Sequence, residues 1–118
     1  MNYAYLLLCA DGSLYAGWTN DLRHRLSAHN DGSGAKYTRA RRPVKFVYAE
    51  AFERKEDAQK REYEIKKMRR SERLSLVRGG ERRADMAALL EEINREDAEQ
   101  RRILNDGKEG HADGGRVQ

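Results

Sequence analysis

At 118 residues the chain has the length of one ordinary domain, which excludes most multi-domain enzymes. Charged residues make up 37% of it and hydrophobic residues 38%, so a core of normal density fits part of the chain and the surplus charge belongs to a solvated tail. The net charge of +4 is unevenly shared: residues 1–78 carry 17 basic and 10 acidic side chains, net +7, while residues 79–118 carry 7 and 10, net −3. The basic part favours a polyanion, of which nucleic acid is the commonest.

Tyr3 to Cys9 and Ser13 to Trp18 are short apolar runs separated by Ala10, Asp11 and Gly12, the pattern of a β-hairpin. Cys9 is the only cysteine, so no disulfide can form within the chain, and strand packing is its expected role. Two registers are open. A two-residue turn at Asp11 and Gly12 pairs Leu8 with Tyr15 and separates Tyr5 and Tyr15 onto opposite faces. A three-residue loop with Gly12 in the left-handed region pairs Tyr5 with Gly17 and Leu7 with Tyr15, putting both phenols and Gly17 on one face. The second is the expectation, with Gly17 leaving open space beside the phenols for a ligand or a backbone; a packing glycine between two core aromatics is the alternative.

Asp21 to Asn30 predicts the first helix, with Leu22 and Leu26 at i, i+4, Asn20 or Asp21 as N-cap, and a glycine-containing break at Asp31 to Gly34. Arg25 and His29 stack one turn apart beside the leucine stripe, at the expected edge of the core. A half-buried guanidinium there suits a phosphate clamp and an imidazole a proton shuttle; two ordinary helix-surface residues are the bland reading. Residues 32–43 read as loop, glycine-rich and then basic. Residues 36–45, with Lys36, Arg39, Arg41, Arg42 and Lys45, no acidic residue and Tyr37 among them, make the expected nucleic-acid docking surface, against a merely solvated charge run.

Val44 to Phe52 alternates as a third strand, Lys55 to Met68 has helical spacing, and Ser71 to Val77 forms a short helix with Ser71 as its cap. At 100° per residue Ala58, Glu62 and Ile65 share one narrow stripe, so a carboxylate falls on the face the second helix should bury. It is either half of a structural ion pair with an arginine or a metal ligand. Gly79 and Gly80 mark the edge of a domain spanning 1–78. In the charged tail, 79–118, Ala84, Ala87, Ala88, Leu90 and Ile93 suggest an amphipathic helix from about 82 to 103, with disorder expected from Asn105 onward. The tail either screens the basic surface transiently or packs Ala87, Leu90 and Ile93 on the domain. No stretch approaches the length that spans a membrane, so a cytoplasmic protein without membrane contact is expected.

With Tyr3-Ala4-Tyr5 and Tyr15-Ala16-Gly17 about ten residues apart, followed by Arg25, His29, the Gly34 to Arg39 stretch and the helix bearing Glu62, the sequence resembles the GIY-YIG nuclease domain over roughly residues 2–78. The Gly34 to Arg39 stretch and the Lys60 to Lys67 helix resemble those of small stand-alone bacterial members. The resemblance implies an α+β fold, a three-stranded antiparallel sheet flanked by helices, with a C-terminal helical or disordered tail. It further implies a metal-dependent endonuclease hydrolysing phosphodiester bonds of DNA, with branched and single-stranded DNA among the candidate substrates. Carried over by residue, Tyr5 and Tyr15 are the site phenols, Arg25 the phosphate contact, His29 the second polar helix residue and Glu62 the ligand of Mg²⁺ or Mn²⁺. Trp18 stands where some relatives have a lysine. A non-catalytic nucleic-acid-binding module on the same fold is the alternative reading.

Overall fold

A computed structural model describes the backbone of residues 1–79 and 84–117, and side chains as far as Asp106. Its elements are β1 (Asn2–Leu8), β2 (Leu14–Thr19), α1 (Leu22–Asp31), α2 (Lys36–Arg39), β3 (Lys45–Phe52), α3 (Lys55–Lys66), α4 (Arg70–Arg78) and α5 (Ala84–Val117). The strands form one antiparallel sheet in the order β2-β1-β3.

The hairpin adopts the three-residue loop. Gly12 has φ +84°, a value only glycine takes without strain, and its N–H donates to the Cys9 carbonyl at 2.9 Å. Asp11 reinforces the turn by accepting from the Ser13 N–H at 3.0 Å and from its hydroxyl at 2.6 Å. Tyr5 therefore faces Gly17 and Leu7 faces Tyr15 across the ladder. Alternation in β1 and β2, with a bulge in β3 where Leu6 faces Tyr48, Leu7 faces Phe46 and Val47 is left unpaired, divides the sheet into two buried faces. Ala4, Leu6, Ala16 and Tyr48 pack with Ile65 of α3 on one, while Tyr5, Leu7 and Phe46 pack with Leu22 and Leu26 of α1 and Leu90 and Ile93 of α5 on the other.

Asp21 caps α1 by accepting from the His24 N–H at 3.1 Å, and Gly32, at φ +93°, ends the helix in the left-handed conformation. Residues 36–39, read as loop, form the single-turn helix α2. The cap expected at Ser71 is displaced: α4 begins one residue earlier, and Glu72 accepts from the Arg69 N–H at 3.1 Å. A carboxylate reaching back to a free N–H does the work assigned to the serine hydroxyl.

The tail helix is part of the core. Leu90 and Ile93 are buried in the cluster around Phe46, while Ala87 points outward and Met86 and Leu89 take the places expected for alanines. Asn94 binds the outer edge of β3 like a neighbouring strand, accepting from the Phe46 N–H at 2.9 Å and donating to its carbonyl at 2.8 Å. Asn30 of α1 does the same one step earlier, at the N–H (2.7 Å) and carbonyl (2.9 Å) of Val44, and also donates to Asp97 of α5 at 2.8 Å. Helix α5 starts at Ala84 and its backbone continues to Val117. The disorder expected from Asn105 falls mostly on residues whose side chains lie outside those described.

Candidate active site

The hairpin register sets two phenols side by side. Tyr5 is 2% exposed, and the room beside Gly17 is filled by its own ring: a Cβ at position 17 would lie 2.6 Å from Tyr5 Cζ. The open space expected there does not exist, and Gly17 is the packing glycine of the alternative reading. Tyr15, one register step away, is only half-buried.

Helix α1 brings Arg25 and His29 to these phenols, and the two differ in burial. Arg25 stays at the edge of the core, as expected. Its Nε is the one buried side-chain nitrogen or oxygen among the described residues without a hydrogen-bond partner. His29 is instead 1% exposed, because its ring is packed between two hydroxyls: Nε2 lies 2.9 Å from the Tyr5 oxygen and Nδ1 lies 2.8 Å from Thr38 Oγ1. Gly34 makes room for it, since a Cβ there would sit 2.6 Å from Nδ1. Burial, helped by the charge of Arg25, pushes the imidazole down to about 4, so it is neutral at physiological pH.

Glu62 of α3 carries a charge that acts on both phenols. It is 19% exposed and pairs with Lys66 one turn on at 3.5 Å, so the compensating cation is a lysine on its own helix. The part-buried arginine pair is the neighbouring one, Arg61 of this helix with Glu50 of β3 at 3.0 Å. Desolvation raises the Tyr15 phenol above its ordinary value; the Glu62 charge adds to the rise and Arg25 opposes it. Tyr5 is raised further, by burial first, then by Tyr15 and by Glu62, against Arg25. Both phenols thus respond to the same cation and the same carboxylate, and all five predicted residues are electrostatic neighbours.

Of the docking residues, Tyr37 stacks against Tyr15 with ring centroids 5.8 Å apart, and Arg41 lies 3.8 Å over the Tyr37 ring. Arg41 is tied down as well by Asp11 (3.0 Å) and by the Tyr37 carbonyl (2.8 Å), so it holds the loop to the hairpin turn. Arg39 and Arg42 are anchored at Nε, on the carbonyls of Gly32 (3.1 Å) and Arg39 (2.8 Å), and both remain exposed, as does Lys36. Sequence reasoning gave Thr38 and Gly34 no role of their own: neither belongs to a periodic pattern, and only their place in the 34–39 stretch hinted at one. At Trp18, the Lys55 ammonium lies 5.3 Å from the ring centroid.

The family model described as the GIY-YIG catalytic domain matches residues 1–75. The chain belongs to the GIY-YIG family. A UPF0213 protein of Clostridium perfringens is 61% identical over 77 residues, which cover 65% of this chain and 83% of that one. One of Staphylococcus saprophyticus is 51% identical over 79 residues, 67% and 96% of the two chains. The solution NMR structure of a UPF0213 protein from Bacillus halodurans is 47% identical, covers 65% of this chain and 83% of that one, and has a TM-score of 0.43. Membership places the chain in a nuclease family whose substrate is nucleic acid and whose members generally use divalent metals. Helix α5 lies beyond the matched residues.

The donor set bears on the metal. Among the described residues no three His, Cys, Asp or Glu side chains cluster to hold an ion. A single part-buried carboxylate fits Mg²⁺, which keeps most of its waters and takes one or two carboxylates plus substrate phosphate oxygens.

Proposed function

We propose that this GIY-YIG domain is a divalent-metal-dependent endonuclease that hydrolyses phosphodiester bonds of DNA, using Tyr15, Arg25 and Glu62 in one cleft. The observation that carries this reading is Arg25: a guanidinium nitrogen buried without a partner, beside two phenols and a carboxylate, is costly to keep unless a ligand completes it. A phosphate oxygen is the acceptor that completes it.

Glu62 would hold Mg²⁺ or Mn²⁺, which when bound supplies positive charge to the phosphate and leaving oxygens. Arg25 binds a non-bridging oxygen and stabilises the extra charge as phosphorus becomes five-coordinate. Tyr15, on the solvent side of the pair of phenols, orients and deprotonates the attacking water. Its raised pKa makes the phenolate scarce near neutrality, and the rate should therefore climb with pH. His29 is almost wholly buried and hydrogen-bonded to the Tyr5 hydroxyl, so its part is to position Tyr5 rather than to shuttle a proton to the substrate.

The test is a cleavage screen over single-stranded, duplex, flapped and branched DNA with Mg²⁺ or Mn²⁺. Nicking that stops on addition of EDTA is expected. Binding to all of these without turnover would favour the non-catalytic module.

A further inference from the structure

We infer that Thr38 is a positioning residue that fixes the imidazole tautomer of His29, so that Tyr5 turns its hydroxyl proton inward and presents only lone pairs to the cleft. The inference rests on the proposed active site for its consequence, but the proton arrangement itself follows from the buried chain of hydrogen bonds.

Two arrangements fit the distances. In the first, Thr38 Oγ1 donates to the Ala35 carbonyl at 3.0 Å, accepts from His29 Nδ1–H at 2.8 Å, and leaves Nε2 bare to accept from the Tyr5 hydroxyl at 2.9 Å. In the second, Thr38 donates to a bare Nδ1, and Nε2–H donates to the Tyr5 oxygen. A hydroxyl has one proton to give, so the second arrangement forfeits the bond to Ala35. It would also send the Tyr5 proton towards the cleft. There the charge of Arg25, which can only donate, acts on the phenol more strongly than the Glu62 carboxylate does. The first arrangement makes three bonds where the second makes two, and it faces the Tyr5 lone pairs towards the positive charge. Thr38 is fully buried, so water cannot replace the forfeited bond.

The consequence divides the labour of the two phenols. Tyr5, buried behind Tyr15, offers lone pairs to the donors beside it, Arg25 among them, and leaves the attacking water to Tyr15. It cannot donate to a phosphate oxygen, so that task falls to Arg25. The second arrangement would reverse this and make Tyr5 a donor to the phosphate.

The experiment reads the two imidazole nitrogens of His29 by ¹⁵N NMR on the full chain, with the signals assigned by their loss in His29→Gln. The wild type should show a protonated Nδ1 and a bare Nε2. Thr38→Val keeps the shape and removes the acceptor, and should shift the population towards Nε2–H; Thr38→Ser should retain the wild-type pattern. In cleavage assays Thr38→Val should lower kcat about tenfold or more with KM little changed, and Thr38→Ser should restore it. A protonated Nε2 in the wild type would overturn the inference whether or not the valine variant folds. So would a wild-type kcat in Thr38→Val. An inactive wild type with protonated Nδ1 would refute the proposed function and leave the tautomer assignment standing.

Discussion

His29 shows how far burial can change a residue's task. The i, i+4 spacing with Arg25 put both on the face of α1 that meets the phenols, but a helical projection gives an angle and not a depth. Depth came from Thr38 and Gly34, which close over the ring from a segment of no periodicity. Because the folded imidazole sits near 4 and the unfolded one at its ordinary 6.5, its contribution to stability is complete above 6.5. It falls as pH drops from 6.5 towards 4, and levels off below. Thermal melts between pH 7 and 4 should show this loss in the wild type and a correspondingly smaller loss in His29→Gln; equal slopes would contradict a buried neutral imidazole. Gly17→Ala would push a methyl into the Tyr5 ring, at an overpacking cost of about 1–3 kcal/mol. A chemical-denaturation midpoint unchanged by that substitution would mean that the ring can move aside.

Among the elements, the hairpin was the most legible, because turn chemistry and strand alternation agree: Gly12 at positive φ allows a register that puts Tyr5, Leu7 and Tyr15 on one face. Helix α2 was illegible for the opposite reason, since one turn offers too few residues for a period to show. Helix α5 was foreseen as a helix, but whether it docked depended on β3 having a bare outer edge, which a single sequence does not display. Its attachment is apolar at Leu90 and Ile93 and polar at Asn94, whereas the ion pair of Arg23 with Glu96 is exposed and contributes little. Ile93→Ala should therefore cost about 2–5 kcal/mol. Asn94→Ala, which strips partners from both backbone groups of Phe46, should cost about 1–3 kcal/mol. Truncation after Val77 should lower the melting temperature; unchanged melting with faster DNA binding would instead make the tail an electrostatic screen.

For the molecule as a whole, the division of charge between a basic domain and an acidic tail survives as a division of surfaces. The exposed guanidinium groups of Arg39 and Arg42 lie on the 32–43 segment, and the tail's carboxylates Glu92 and Glu96 are turned to Arg23 on α1. In a salt titration of DNA affinity Arg42→Ala should flatten the logarithmic slope by about one unit, and Arg41→Ala by less, since Asp11 already offsets its charge. Equal effects would mean that Arg41 leaves Asp11 to bind DNA. If Glu62 serves chemistry rather than the fold, its carboxylate should contribute little to stability; the only cation paired with it among the described residues is an exposed lysine on the same helix, a pair worth about half a kilocalorie per mole. The most direct measurement is the Mg²⁺-dependent cleavage rate of Glu62→Gln beside the wild type, at saturating DNA and with melting temperature recorded. Loss of cleavage by about a hundredfold or more, with melting and DNA affinity nearly unchanged, is the predicted result. Cleavage at the wild-type rate per folded molecule would contradict it.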